Sequence, residues 1–546
     1  MTNLQPLEIE LKLALPPHQV EAFLKRMARR RSLPVKQALR TVYFDTPDFS
    51  LSAQGVAIRL RQVGRRWLQT LKTEGERQGG LSRRAEYEVP VARRALDWSR
   101  FPADALAHVP DALRAELLPV FETRFSRTAW LLKGHGGAQI EVALDLGEVR
   151  AGKRSQPICE IELELKAGQP DALFDLALEW TGQFDCLPFD ISKAERGVRL
   201  AHGVEAAPVG ATPLVLNAGM SVEDGFAAIV QNCLAQFQAN LPGVLAPLPN
   251  PDGTTKHSTK PASGQVAAYP PAAGEGANVG PKPIDDIEYV HQARVALRRL
   301  RAGLRLMRKV CALPDALMAG LRELAAALGP ARDWDVLCAE TLPAIAPYYP
   351  DAEAWQLGLS ALEAHRAEVR TAMQAALTQA RPGAWLLAMQ RWLLLQGWRA
   401  APEAQRFVQL SPLDVWARRA LQKGHRPVLR GARDFAKLSP AQRHLLRIAI
   451  KRQRYAAEFF QSLFGAQAKG HKRRQARYLR ALRDAQDSLG STNDIRIALE
   501  LLTTAKVETG PMGDFVLGWL SAKQGAVANG TSAAKMRDFL KLEPYG

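Results

Sequence analysis

The run Glu8-Ile9-Glu10-Leu11-Lys12 constrains this chain more than any other stretch. Charged and apolar residues alternate strictly, the period-2 signature of a β-strand with one charged face and one greasy face. A single strand of this kind would ordinarily turn its charges to water. The pattern returns, with a third carboxylate, as Cys159-Glu160-Ile161-Glu162-Leu163-Glu164-Leu165-Lys166. Carboxylates held close together repel unless a cation lies between them, and hard oxygen donors of this kind suit Mg²⁺ or Mn²⁺.

Between the two acidic runs, Pro16 to Arg31 reads as an amphipathic helix. Strands are predicted at Leu39–Asp45 (closed by Thr46-Pro47), Val56–Arg61, Trp67–Lys72, Arg84–Val89, Arg127–Leu132 and Gln139–Asp145. With the two acidic strands the total is about eight, mostly antiparallel by their short connections. Charges of both signs alternate with apolar residues in strand after strand. A barrel with a packed apolar interior would not show this. A tunnel lined by charge, with apolar residues facing outward onto covering helices, would. Arginine and lysine in such a lining supply fork-shaped and point-charge contacts to phosphate oxygens.

Charge and length locate a second function. The 546 residues carry a formal net charge of +18, and a chain this long should hold two or more domains. Residues 1–200 hold 30 Lys and Arg against 26 Asp and Glu, a net of +4; the remainder holds 43 against 29, a net of +14. The second part should therefore attract a polyanion. Five scattered cysteines with no Cys-x-x-Cys pair indicate neither a disulfide framework nor a zinc site. No signal peptide is visible, and the most apolar segment, Trp385 to Trp398, is short and carries Arg391, which argues against a membrane span. A cytoplasmic protein is the expectation.

The predicted organisation is a β domain over residues 1–203, a linker over 204–218, and a helical domain over 219–546 interrupted by a Pro-, Gly-, Ala- and Ser-rich insertion at 242–283, read as disordered. The helical part contains a repeat. His291-Gln-Ala-Arg294-Val-Ala-Leu-Arg298-Arg299-Leu-Arg301 aligns without a gap on His444-Leu-Leu-Arg447-Ile-Ala-Ile-Lys451-Arg452-Gln-Arg454, and Leu328-Gly329-x-x-x-Asp333 aligns on Leu489-Gly490-x-x-x-Asp494. On helices, His291, Arg294, Arg298 and Arg301 share one stripe, opposite Ala293, Ala296, Leu297, Leu300, Leu304 and Met307. His444, Arg447, Lys451 and Arg454 repeat that stripe. Neither histidine has a second ligand at i+3 or i+4, so a metal site is not indicated. Two facing basic stripes would make a cationic channel for a flexible anionic chain. They carry few interleaved aromatics for base stacking, Tyr455 excepted, so nucleic acid is disfavoured.

Six motifs carry a family resemblance: EIELK at Glu8–Lys12, YFDTP at Tyr43–Pro47, RLR at Arg59–Arg61, LDLGEV at Leu144–Val149, CEIELELK at Cys159–Lys166 and SKAERG at Ser192–Gly197. In this order they resemble the CYTH superfamily, the triphosphate tunnel metalloenzymes, and the helical repeat resembles the CHAD domain. The resemblance implies an α+β chain: an eight-stranded antiparallel tunnel that hydrolyses a linear triphosphate with Mg²⁺ or Mn²⁺, then an all-α duplicated bundle that binds inorganic polyphosphate. It implies metal ligation by Glu8, Glu10, Glu160, Glu162 and Glu164. Lys12, Arg40, Arg59, Arg61, Lys72, Arg127 and Lys193 match phosphate-binding cations, with Glu8, Glu10, Lys12 and Lys193 at the chemistry. Glu86 and Asp145 match the remaining tunnel acids. Arg127 is a better match than Arg124 for the sixth strand, and Lys193 is expected to close over the tunnel mouth.

No Ser-His-Asp or Cys-His set accompanies these motifs, so covalent catalysis is not indicated. The leading expectation is an inorganic triphosphatase acting on tripolyphosphate, with a polyphosphate-binding domain. A thiamine triphosphatase or an adenylate cyclase on the same fold stays open. So does a non-enzymatic protein of polyphosphate granules, with localisation there. Oligomeric state is not legible.

Overall fold

A computed structural model of the chain describes residues 7–30, 32–246, 286–464, 471–504, 507, 509–527, 535–537 and 539–545. They cluster into two compact units. The first takes the described residues of Met1–Val209, Gln238–Tyr289 and Arg381–Gln396; the second takes those of Gly210–Phe237, Val290–Ala380 and Gly397–Gly546.

The first unit is built on ten strands: β1 (Leu7–Ala14), β2 (Val35–Asp45), β3 (Ala57–Val63), β4 (Arg66–Lys72), β5 (Glu76–Gln78), β6 (Leu81–Val91), β7 (Leu118–Lys133), β8 (Gln139–Ala151), β9 (Arg154–Ala167) and β10 (Leu187–Pro188). Neighbours run β1-β9-β8-β7-β2-β3-β4-β6, and β1 also pairs with β6. Eight antiparallel strands therefore close into a barrel, with β5 and β10 as short additions. All eight predicted strands are present. Several run longer than the alternation suggested, because pairing on both sides stabilises residues of weak strand preference.

The alternation decides what goes where. Outward apolar residues of β1, β7, β8 and β9 (Leu11, Leu13, Trp130, Val142 and Ile161 among them) pack under helices Val20–Ala28 and Asp171–Thr181. Phe23 anchors the first of these helices, edge-on to Trp130 and Trp180 at 6.3 and 5.3 Å. The segment predicted as one helix from Pro16 to Arg31 is a short 3₁₀ turn, Pro17–Gln19, followed by Val20–Ala28. Outward residues of β3, β4 and β6 pack under Phe101, Ala105 and Val109. Helix Lys193–His202 enters one end of the barrel and packs on Leu39, Phe121 and Phe125. Gly197 permits this approach, since a Cβ there would lie 2.1 Å from the Phe121 ring.

Helix Pro382–Leu394, far along the chain, also belongs to the first unit. It packs on helix Asp171–Thr181, where Leu387 joins the core and Arg391 pairs with Asp175 at 2.7 Å.

The second unit is helical. Helices Leu413–Arg433, Pro440–Phe459 and His471–Thr504 pack in sequence, and Asp315–Val336 packs on Ala352–Ala380. The apolar side read from the repeat is buried: Ala293, Ala296, Leu297, Leu300, Leu304 and Met307 are each at most 2% exposed. Arg299, off the basic stripe, is buried and donates to Gln236 and Asn232 of helix Val222–Val244. Within the expected insertion, Pro242–Val244 end that helix, and residues 247–283 lie outside the described residues. Among the described residues no helix is long and apolar enough to cross a membrane. All five cysteines are free.

Candidate active site: a charged cavity inside the barrel

Inward-facing charges of the barrel line a cavity of about 740 Å³. Strand register sets its walls. On β1 and β9, Glu10 lies opposite Glu164 and Lys12 opposite Glu162; Glu164 in turn lies opposite Glu141 of β8. Directly opposed side chains have Cβ atoms about 4.5–5.5 Å apart, so Glu10, Glu164 and Glu141 form a row of carboxylates. On the facing wall, Arg59 and Arg61 of β3 lie opposite Tyr43 and Thr41 of β2.

The charges are locked unevenly. Arg84 spans the first motif, donating through Nε to Glu8 at 2.9 Å and through Nη2 to Glu10 at 2.7 Å. Lys72 pairs with Glu8 at 2.8 Å and with Glu86 at 3.0 Å. Lys12 donates to Glu10, and Arg59 pairs with Glu86 at 3.1 Å. Arg127 grips Asp145 with two hydrogen bonds, at 2.8 and 2.7 Å, and reaches Glu162. Lys193, buried at the start of its helix, donates to Asp145 at 2.7 Å, to Glu162 at 2.9 Å and to Glu160. Arg196 holds the other oxygen of Glu160 at 2.7 Å.

The electrostatics follow. Burial pushes the Glu8 carboxyl up, but Lys72, Arg84 and Lys12 outweigh it and hold Glu8 well below the usual carboxylate range. Glu162 is held well below in the same way by Lys193, Arg127 and Lys12. Glu164 goes the other way: burial raises it, Glu8 and Glu141 add to the rise, and Lys166 only partly opposes them. Arg61 is pushed down to about 10 by burial and by Arg59 and Arg127. Among the described residues its hydrogen bond is a 3.3 Å contact to the Thr41 hydroxyl, and none of their carboxylates forms an ion pair with it. Arg59 Nε is buried without a partner.

Most residues singled out in the sequence meet here. Glu8, Glu10, Lys12, Arg59, Arg61, Lys72, Glu86, Arg127, Glu162, Glu164 and Lys193 line the cavity. Asp145 and Glu160 lie fully buried behind Lys193. Two expectations of position are corrected. Arg40 is not brought to the cavity. Thr41 and Tyr43 point inward, so Arg40 points outward, where it pairs with Glu122 at 2.9 Å and its side chain is 41% exposed. Lys193, expected over the tunnel mouth, lines the cavity from the start of its helix and points to Asp145, Glu160 and Glu162. Arg84, Glu88, Glu141 and Tyr43 were missed. Period 2 from Glu86 and from Asp145 would have found the first three.

A divalent cation fits this donor set. Glu8, Glu10, Glu162 and Glu164 offer only hard oxygens, and Glu164, raised by burial, stands between the like charges of Glu8 and Glu141, which raise it further. Among the described residues the trio whose carboxylate oxygens do lie close together, Asp145, Glu160 and Glu162, already surrounds the Lys193 ammonium.

In the helical unit the two stripes converge. Lys451 feels Arg298, Arg447, Arg294 and Arg454 at close range. Arg298 donates to the Tyr455 hydroxyl at 2.7 Å, and Arg454 lies over the same ring at 4.5 Å. Asp333 lies 4.0 Å from Arg294, and Asp494 lies near Arg447. His291 is half-buried, whereas Arg301 and His444 are exposed.

The first unit is a closed eight-stranded barrel lined by paired charges, and the second is a helical unit with a duplicated basic stripe. Residues 6–198 match the CYTH domain family and residues 281–503 the CHAD domain family, so the chain carries a CYTH domain followed by a CHAD domain. An inorganic triphosphatase of Haemophilus influenzae is 35% identical over 207 residues, which cover 37% of this chain and 56% of that protein. The match therefore spans little more than half of the relative's length. Among solved structures, the CHAD domain of Ricinus communis is 28% identical and covers 62% of this chain and 99% of that one, with a TM-score of 0.48. A Hippeastrum candidate adenylyl cyclase described as having a dominant triphosphatase activity is 18% identical and covers 36% and 96%, with a TM-score of 0.27.

Proposed function

We propose that the barrel hydrolyses inorganic tripolyphosphate to pyrophosphate and phosphate with Mg²⁺ or Mn²⁺, and that the helical unit binds inorganic polyphosphate. One observation carries the first reading. Among the described residues, the cavity sets guanidinium donors of Arg59 and Arg61 that no carboxylate takes up against a row of three carboxylates, Glu10, Glu164 and Glu141, of which Glu164 is pushed up by burial and by its acidic neighbours. A triphosphate with a divalent ion satisfies both walls at once.

Arg59 and Arg61 would take phosphate oxygens in fork geometry, and Lys12 and Lys72 would offset charge along the chain. Arg127, fixed by its two bonds to Asp145, would present its remaining donors without an entropic cost of ordering. Glu8, Glu10, Glu162 and Glu164 would hold the ion. When bound, that ion supplies charge neutralisation for the transferring phosphoryl group and orients the attacking water. No histidine or cysteine is among the lining residues, which favours direct transfer to water. Tyr43 is the one aromatic among them, and it is buried, so no ring is offered to a nucleoside base. That favours an inorganic triphosphate over ATP.

For the helical unit, the support is the meeting of Arg294, Arg298, Arg447 and Lys451, opposed among the described residues chiefly by Asp333 and Asp494. The test measures phosphate release from tripolyphosphate, ATP, thiamine triphosphate and long-chain polyphosphate, each with Mg²⁺, Mn²⁺ or chelator. Tripolyphosphate should be turned over fastest, and the chelator should abolish turnover. Preference for a nucleotide, or turnover undiminished by chelation, would overturn the reading.

A further inference from the structure

The geometry points to Lys451 as a modification site: its ε-amine takes the acyl group of an acyl phosphate. The amine sits on helix Pro440–Phe459, half-buried, with Arg447 and Arg454 on its own helix. Arg298 of helix Asp286–Met307 reaches that same helix, donating to the Tyr455 hydroxyl at 2.7 Å one turn after Lys451, and Arg294 lies one turn before Arg298 on its own helix. Among the described residues, three nearby carboxylates serve other cations. Asp333 faces Arg294, Asp494 faces Arg447, and Glu458 pairs with Arg454 at 2.5 Å. Among the described residues Lys451 itself makes no ion pair.

Two consequences combine. Four guanidinium groups concentrate a small phosphate-bearing electrophile at the amine. Burial and those same four cations also push the amine down to about 8, so near that pH it is substantially the nucleophilic free base. The lone pair attacks the carbonyl carbon, and the bond from that carbon to the bridging oxygen breaks. Inorganic phosphate leaves with the electron pair, and the amine's surplus proton passes to it or to water. The product is a neutral amide, so the cluster loses one cation. This inference stands on the cluster and does not rest on polyphosphate binding.

The experiment treats the full-length protein with acetyl phosphate across pH 7–10 and follows each lysine by peptide mass spectrometry. Lys423 and Lys437, exposed on the same unit, serve as references. Near pH 8 the free-base advantage of a lowered amine, less its reduced intrinsic nucleophilicity, should make Lys451 react on the order of tenfold faster than either. Its rate should level off above about pH 8 while theirs still climbs. An uncharged acetyl ester should narrow the preference, since it is not recruited by the arginines. Arg298→Gln, checked for unchanged helicity, should narrow it further. Acetylation of Lys451 no faster than Lys423 and Lys437 overturns the proposal, as does a preference that Arg298→Gln leaves whole.

Discussion

All three N–H bonds of the Lys193 ammonium go to carboxylates, those of Asp145, Glu160 and Glu162. An ammonium has three donors and no more. Lys193→Ala would leave those acids buried and uncompensated, a loss of about 3–5 kcal/mol when one partner of a buried pair is removed. We expect a lower melting temperature and at least a tenfold fall in kcat/KM for tripolyphosphate; unchanged values would make this lysine a bystander. A different logic governs Glu8 and Glu10. Changing both to Gln keeps size and strand preference but removes the charge that would hold the ion, worth several kcal/mol, so turnover should fall on the order of a thousandfold. Circular dichroism should be unchanged. Near wild-type turnover would sink the metal assignment.

At the scale of elements, helix Lys193–His202 is held in the barrel by a close contact at Gly197. Gly197→Val places branched carbon where Phe121 already lies, 2.1 Å from a Cβ position. Overpacking costs about 1–3 kcal/mol and more where the backbone cannot retreat. Thermal unfolding should drop by several degrees, and activity should drop with it, because the helix carries Lys193. Helix Val222–Val244 is tied down differently: Glu223, buried, accepts from Trp398, Arg399 and Arg406. Burial opposes ionisation, but those bonds win and bring its carboxyl down to about 2. The folded value lies below the unfolded one, so the stabilisation is full above about pH 4.5 and is lost as pH falls toward about 2. Glu223→Gln should flatten that part of the acid-unfolding curve of the helical unit; an unaltered curve would exclude this clamp as its cause.

On the scale of the molecule, the proposed function gives the two units separable chemistries. Arg298→Glu with Lys451→Glu replaces two cations by two anions on the converged stripes. At an effective dielectric near 20 each close contact is worth on the order of a few kcal/mol before screening, so long-chain polyphosphate binding should vanish. In the parent protein that binding should weaken steeply as salt rises. Tripolyphosphate hydrolysis should persist, since the barrel holds its own cations. Affinity surviving the reversal would reduce the stripes to solvated faces.

Local periodicity by itself determined much of this protein. Alternation over Glu8–Lys12 and Cys159–Lys166 specified strands with a charged face, because successive side chains point to opposite sides whatever the partner. The His-Arg-Lys repeat specified two helices with one basic stripe each, for the same reason at period 3.6. Tertiary structure decided the rest. Arg40 and Arg61 look alike in sequence, yet only closure of the barrel shows that one faces solvent and the other the cavity. The register that sets Glu10 against Glu164, and Arg127 against Asp145, links residues more than a hundred apart in one case and eighteen in the other. The apolar segment from Trp385 was legible as too short and too charged to span a membrane, but not as part of a helix, Pro382–Leu394, that packs on Asp171–Thr181. Apolar burial is non-directional, so a sequence states that a surface must be covered while the fold alone selects what covers it.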